Sequence, residues 1–360
     1  MSTVALVGTG LIGGSLGLAL RRAGVKVRGW DADAATLERA CDRGVVDLAA
    51  GGLAEVMSGA DVAFVATPVS GVVEAVAGAL AAGVGAVTDV GSVKAPVVRG
   101  VEAASPGGLS RFVGGHPMAG SDRDGVDGAD PDLFAGSTWV LTPTERTDPA
   151  AFTAVRHLVA ATGAEIVAVP PDLHDALVAI VSHLPHLMSA TLMGVATEAS
   201  PNQDTLFRLA AGGFRSMTRL SHQAPGIWPD ICVENRTAIV AALDHYLAAL
   251  ARARELVAGG EREPLLGFLE HAQTQGRQLP ARVGVAGPLV QLEMPVPDRP
   301  GVLAEVTTLA GRHGVNIADL EISHGSAGGV LAMVVPADGA DPVVAGLESL
   351  GYRVTRRMLA

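Results

Sequence analysis

Cysteine is nearly absent: Cys41 and Cys232 stand far apart, outside any CxxC spacing. That excludes a disulfide framework and a thiolate zinc cluster, and it suits a reducing cytoplasm. Aromatic residues are scarce too, at 3%. Base-stacking recognition of nucleic acid has little to build on, and the core must be filled by Val, Leu, Ile and Ala, as in a packed sheet flanked by helices. Positive charge is short as well, with 26 Lys and Arg against 37 Asp and Glu, a net charge of −11. Such a balance disfavours nucleic acid and anionic membrane and leaves small molecules as the expected partners. No long apolar run opens the chain: MSTVALVGTGLIGG lacks a basic leader, and its glycine-broken apolar stretch reaches Arg21 too soon to span a bilayer. Neither a signal peptide nor a membrane-spanning helix is expected.

Hydrophobic residues reach 49% against 18% charged, a globular balance, and the length suggests roughly two to three domains. Short apolar runs at 4–8, 25–30, 61–67 and 85–90 alternate with helix-length segments, and FVGGH, STWVLT and the run at 164–169 continue the pattern to Pro170. This is the β-α-β alternation of a parallel sheet. From Asp172 to Gln278 the period changes to Ala/Leu-rich helical spacing. Helices apolar on most sides need cover from one another or from a second subunit. RQLPARVGVAGP reads as a linker. Beyond it LVQLEMPV, a helix from about Gly301 to His313, VNIADLEISH, GVLAMVV, a helix from about Pro342 to Leu350, and YRVTRRML give the order βαββαβ, a ferredoxin-like unit. The segments predicted are 1–170, 171–280 and 288–360.

Gly8, Gly10 and Gly13 form GxGxxG, with Leu11 and Ile12 in the variable positions, between the first strand and the first helix. The first glycine permits a tight turn, the second lets a pyrophosphate approach the backbone, and the third allows close helix packing, as in a Rossmann-type dinucleotide-binding domain. Asp31 ends the second strand, placed to accept from a ribose 2′-hydroxyl and to repel a 2′-phosphate, which favours NAD over NADP. Arg28 is the nearby group that would assist a phosphate instead. Thr67 and Pro68, after the third strand, complete the cofactor-binding candidates. The plainer alternative makes the glycines ordinary turn residues and Asp31 a helix cap.

Three further segments concentrate polar groups: Asp89-Val-Gly-Ser-Val-Lys94 at a strand end, Gly115-His-Pro-Met-Ala-Gly120, and Ser182-His-Leu-Pro-His186 in an apolar helix. Ser182 and His186, four apart, share a helix face, while His183 is rotated about 100° from Ser182. His183 and His186 have metal-ligand spacing but no evident third ligand, so no metal is expected; buried core histidines are the plain alternative. Pro185 should kink this helix and free a carbonyl. Residues 205–229 carry Arg208, Arg215 and Arg219 and no acid. Arg215 and Arg219 suit a bidentate grip on a carboxylate, the alternative being a solvated helix face.

In order along residues 3–280, VGTGLIGGS, GWD, DVGSVK, GGHPMAGSD, VSHLPH and GGFRSMTRL followed by IWPDICVEN resemble the motifs of the prephenate and arogenate dehydrogenases of tyrosine biosynthesis. PDRPGVLAEVTTLAGRHGVNIADLEI resembles an ACT domain, a module that commonly binds amino acids. The resemblance implies a Rossmann-type domain, an all-helical substrate and dimerisation domain, and a regulatory tail. It implies NAD-dependent oxidative decarboxylation of prephenate to 4-hydroxyphenylpyruvate by a cytoplasmic homodimer. His116 would remove the ring-hydroxyl proton and Ser92 orient that contact; Arg219, with Arg215 nearby, would hold the ring carboxylate. Ser182 and His186 would meet the substrate near its side chain, and Trp228 would reach the site from the partner subunit. Asp122 stands where many prephenate-using members carry Glu, and Ser216 where some carry Asp, which keeps arogenate open beside prephenate. Asp298, Gly301 and the strand expected to bear Asn316 and Ile317 resemble the effector-binding edge of ACT domains, implying feedback by an aromatic amino acid. A reading of another class, an amino-acid sensor on a degenerate dehydrogenase fold, is opposed by the intact His116, Ser92 and Arg219.

Overall fold

The computed structural model describes residues 2–121, 123–199, 203–223, 225–277, 288–297, 299–325 and 328–359. The chain divides into two units, Met1–Arg252 and Ala253–Ala360.

The first unit begins with β1 (Thr3–Val7), α1 (Leu11–Arg22), β2 (Lys26–Trp30), α2 (Ala34–Asp42), β3 (Leu48–Ala49), α3 (Leu53–Met57) and β4 (Val62–Val65). It continues with α4 (Val69–Ala81), β5 (Ala86–Asp89), α5 (Ala95–Ala104), β6 (Phe112–Pro117), β7 (Thr138–Thr142), α6 (Pro149–Ala160) and β8 (Glu165–Ala168). All eight strands lie in one sheet, in the order β3-β2-β1-β4-β5-β6-β7-β8. Successive side chains point to opposite faces. Val4, Leu6, Val62 and Phe64 therefore pack with Leu16, Leu20, Val155 and Leu158 of α1 and α6. Ala5, Val7, Ala63 and Val65 pack with Val72, Val76, Val97 and Val101 of α4 and α5. Cover on both faces is why these strands read as unbroken apolar runs.

One expectation fails here: the parallel series does not continue throughout, because β7 runs antiparallel to β6. Among the described residues of 118–137 there is no crossover helix, only a short 3₁₀ turn at Val126–Gly128, and a parallel return needs such a crossover. Parallel pairing resumes between β7 and β8, around α6.

The helical part comprises α7 (Pro171–Val178), a π turn (Ala179–His183), α8 (Leu184–Ala199), α9 (Gln203–Leu209), α10 (Gly212–Thr218), a 3₁₀ turn (Arg219–His222), α11 (Trp228–Glu234) and α12 (Arg236–Gly259). The irregularity expected at Pro185 takes the form of that π turn, which ends two residues before a proline that has no N–H for the regular ladder. The continuous helix Pro171–Glu198 is long and apolar enough to cross a membrane, yet only 33% of its apolar window is buried within the chain. It buries His174, Asp175, His183 and Ser189 while exposing Leu173, Leu177, Ile180 and Val181.

The two units are joined within α12. The second holds α13 (Arg262–Gly276), β9 (Leu289–Val296), α14 (Val302–Arg312), β10 (Asp319–Gly325), β11 (Gly328–Pro336), α15 (Ala340–Ser349) and β12 (Thr355–Leu359). The βαββαβ order is present, and its antiparallel sheet runs β10-β11-β9-β12. Leu292, Met294, Leu331 and Met333 of the sheet meet Val306, Ala310, Val343 and Leu347 of α14 and α15. Asn316 and Ile317 precede β10 rather than lying on a strand, because pairing begins only where the Ala318 N–H reaches the Val334 carbonyl at 2.8 Å.

Candidate functional site

The three loop glycines are required for three different reasons. Gly8 has φ +90°, and a Cβ there would lie 2.5 Å from the Ala66 carbonyl oxygen. A Cβ on Gly13 would lie 2.0 Å from the Gly8 oxygen, whereas Gly10 has nothing within 4 Å of its missing Cβ. Leu11 and Ile12 start α1, whose N-terminus has no side-chain cap, so its first N–H groups are left for an anion. Asp31 Oδ2 accepts from the Thr9 N–H at 2.7 Å and from the Thr9 hydroxyl at 3.0 Å. The cap of α2 is Asp33, not Asp31. Arg28 donates to the Ser58 carbonyl, away from a phosphate role. The Thr67 hydroxyl is buried without a partner, and Pro68 leads into α4. Open space over Gly10, an uncapped helix and an orphaned hydroxyl fit a dinucleotide. Gly13→Ala is accordingly expected to weaken NADH binding at least tenfold, read by fluorescence titration, since the clash is with backbone that cannot move without opening the turn.

A buried ion pair seats the neighbouring strand ends. Lys94, fully buried, donates to the Asp89 carboxylate and, at 2.7 Å, to the Gly115 carbonyl. Asp89 also accepts from the Gly115 N–H at 3.1 Å and the Gly91 N–H at 2.9 Å. A Cβ on Gly114 would lie 2.4 Å from Thr142 Oγ1, and one on Gly115 2.5 Å from the Asp89 carbonyl oxygen, so only glycines let β6 lie this close. Burial holds Lys94 below the ordinary lysine range, with Asp89 opposing the shift.

The next residue on β6 is His116, half-exposed at the strand's end. Its Nδ1 is 2.9 Å from His174 Nε2, and His174 Nδ1 is 2.7 Å from Asp175 Oδ1. The two Asp175 oxygens also accept the Lys94 and Ala95 N–H groups, each at 2.8 Å. Asn235 donates to the Asp175 carbonyl at 3.0 Å and lies 3.2 Å from His183 Nδ1. Desolvation pushes His116 well below the usual histidine pKa, and His174, Lys94 and His183 add to the shift. The hydrogen bond at His116 Nδ1 thus goes to His174, while Ser92 lies half-buried in the turn after β5.

On the helical side, His183 and His186 share Trp228: the ring centroids are 6.1 Å apart edge-on for His183 and 3.5 Å apart stacked for His186. Trp228 therefore packs on histidines of its own chain. The cause is local: the Ser221 N–H donates to Ser189 Oγ at 2.9 Å, pinning the Arg219–His222 turn onto α8 before the chain returns through α11. Ser182 is half-exposed; Arg215 and Arg219 are exposed, with Arg215 Nε 3.1 Å from the Ala210 carbonyl. His186 Nδ1 is buried without a partner, and burial lowers its pKa. Among the described residues no cluster of three or more metal-ligating side chains occurs. Asp122 and Asp298 lie outside the described residues.

Burial also lowers His183 to about 4, against an opposing pull from Asp175. An unfolded imidazole titrates near 6.5, so between these values the unfolded chain binds a proton that the folded one does not. Stability contributed by keeping this ring neutral is complete above the window and is lost as pH falls through it. Thermal unfolding at a series of pH values is expected to show a decline amounting to about 3 kcal/mol from this group.

Sequence reasoning missed His174, Asp175, Ser189 and Asn235. The first two lie just past Pro170, where the sequence shows only the change from strand to helical spacing.

Comparison with known proteins agrees with this geometry. The prephenate dehydrogenase nucleotide-binding domain family matches residues 16–168, and the prephenate dehydrogenase dimerization domain family matches residues 170–271. The chain belongs to the prephenate dehydrogenase family. Prephenate dehydrogenase of Bacillus subtilis (strain 168) is 32% identical over 326 residues, covering 89% of this chain and 88% of the relative. That coverage exceeds what residues 1–277 supply and so extends into the β9–β12 unit. The crystal structure of prephenate dehydrogenase from A. aeolicus with hydroxyphenyl propionate and NAD+ superposes with TM-score 0.71 at 30% identity, over 78% of this chain and 99% of that one. Synechocystis arogenate dehydrogenase gives TM-score 0.69 at 31% identity, over 76% and 98%. Family membership gives residues 16–271 two parts, a Rossmann-type nucleotide-binding domain and a helical dimerisation domain.

Proposed function

We propose that this chain oxidises and decarboxylates prephenate with NAD+, giving 4-hydroxyphenylpyruvate and CO2 as a soluble enzyme of the cytoplasm. The observation that carries the reading is that the Gly8–Gly13 cradle after β1 and an imidazole held neutral, His116 on β6, lie at carboxyl ends on the same edge of one sheet, with the parallel strands β4 and β5 between them. Bound NAD+ supplies the hydride acceptor. His116 takes the ring-hydroxyl proton, the carbon bearing that hydroxyl gives up hydride, and the ring carboxylate departs as CO2, leaving its bonding pair to make the ring aromatic. The proton then returns to the phenolic oxygen. Arg219 grips the ring carboxylate with a guanidinium fork, but this aids catalysis only if the grip does not favour the bound substrate over the departing CO2. Arg219→Ala is expected to raise the KM for prephenate at least tenfold with a smaller change in kcat. Ser182 and His186 would face the substrate side chain, and Ser92 the nicotinamide side.

The exposed apolar residues of α7, the π turn and α8 are covered, in this reading, by the same helices of a second copy. Following NADH absorbance with prephenate and NAD+ tests the activity; no turnover on prephenate or arogenate rejects it. The similarity to the Synechocystis enzyme supports a second reading, arogenate as substrate, with Asp122 a candidate partner for its ammonium. The ratio of kcat/KM for the two compounds decides between them.

For the second unit we propose an ACT-type, ferredoxin-like module that binds an aromatic amino acid. Gly301, at φ +89°, opens α14 and lines a cavity of about 410 Å³ together with Val296, Arg299 and Ile322. Asn316 and Ile317 do not line it; Asn316 is exposed and Ile317 packs on the core. Calorimetry is expected to detect binding of tyrosine, phenylalanine or tryptophan, with a lowered rate on binding. No binding and no rate change at millimolar concentrations removes the regulatory role.

A further inference from the structure

Three groups from two distant parts of the chain stand in a line: the Asp175 carboxylate, the His174 ring and the His116 ring, joined at 2.7 and 2.9 Å. His174 and Asp175 are almost fully buried, at 1% and 4% exposure, whereas His116, next to the end of β6, is half-buried. We propose that Asp175 and His174 are positioning residues that fix the tautomer of His116, so that its Nε2 carries the free lone pair; this rests on His116 being the base of the proposed reaction.

A carboxylate only accepts, and both Asp175 oxygens are oriented by the backbone N–H groups of Lys94 and Ala95. The proton between Asp175 and His174 therefore sits on His174 Nδ1. In the neutral ring the other nitrogen, Nε2, must then accept. The partner across 2.9 Å is His116 Nδ1, which must donate, because two lone pairs facing each other at that distance would repel. A neutral His116 protonated on Nδ1 has its lone pair on Nε2, the nitrogen left for substrate. Asn235, holding the Asp175 carbonyl, keeps the start of the helix in place.

The arrangement also answers an electrostatic problem. Lys94 and desolvation both oppose a positive charge on His116, yet the ring must carry one once it has taken the hydroxyl proton. Through His174, Asp175 places a negative charge behind it at that moment, the role a buried carboxylate plays behind a catalytic imidazole elsewhere. No net proton leaves the line: Nε2 gains one from the substrate and later returns it.

Two measurements test the proposal. In full-length protein labelled with 15N-histidine, with His116→Asn identifying the signals, His116 is expected to show a protonated Nδ1 and an unprotonated Nε2. A proton on Nε2 of the neutral ring overturns the proposal whatever the kinetics. For the second, His174→Leu removes the acceptor, whereas the amide oxygen of His174→Gln can still accept from Nδ1. The expected result is a kcat about 100-fold below wild type for His174→Leu, with recovery to within about tenfold for His174→Gln and little change in the KM for NAD+ in either. Equal rates in the two variants overturn it. If the wild-type protein turns over neither prephenate nor arogenate, the proposed reaction fails instead, and the nitrogen signals still report whether the line of hydrogen bonds sets the tautomer.

Discussion

His116→Asn is expected to lower kcat about 1,000-fold while leaving NADH affinity within about twofold of wild type, because it deletes a general base without touching the nucleotide cradle. Steady-state kinetics with prephenate and a separate NADH titration check the two halves of that statement. The same residue predicts a pH profile. Its pKa is displaced well below the usual histidine value, chiefly by desolvation. The neutral, basic form therefore persists to lower pH than an exposed histidine would allow, and the acid limb of kcat/KM should lie below about 6.5. In His116→Asn that limb should disappear. An acid limb at or above the ordinary histidine value in the wild type, or one that survives in the variant, would show that another group is the base.

The second large effect is expected at Lys94. Lys94→Met leaves the fully buried Asp89 carboxylate without its cation, a change that typically costs about 3–5 kcal/mol. Denaturant unfolding should show the loss, and activity should fall with it, because the Gly115 carbonyl also loses the donor that fixes the strand just before His116. Combining Lys94→Met with Asp89→Asn should restore part of the stability, since the stranded charge is then gone. If the single and double variants are equally stable, the pair is not holding the strands as described.

The parts of this site legible in the sequence are those whose residues lie close together along the chain. Gly8, Gly10, Gly13 and Asp31 follow one strand-turn-helix-strand unit, and each has a local reason to be where it is. His116 was visible because the Gly114-Gly115 pair before it is unusual in a strand, and the contacts their missing side chains would make explain that pair. His174 was not visible, because its role depends on a partner 58 residues away. Asn235 and Ser189 were hidden for the same reason; their bonds span 60 and 32 residues. Helix periodicity shows which face of a helix is apolar, but not which remote polar group that face will meet. The direction of β7 was similarly hidden, since the described residues of the loop after β6 hold no crossover helix. The stacking of Trp228 on His186 was hidden too, because it depends on the bond from Ser221 back to Ser189, and no local pattern announces that contact.

The π turn at Ala179–His183 separates two groups of side chains on one continuous helix: His174 and Asp175 before it, and His183 at its end with His186 and Ser189 beyond. A helix advances about 100° per residue, so the angular relation between the groups depends on the number of residues in that single wide turn. Removing one residue there would tend to regularise the helix and improve its hydrogen bonding. It would also swing everything downstream by more than a quarter of a circle, parting the Trp228 stack from the His116 line. The helix thus behaves as a key cut with two sets of teeth, and the least regular stretch of its shaft keeps both sets in phase.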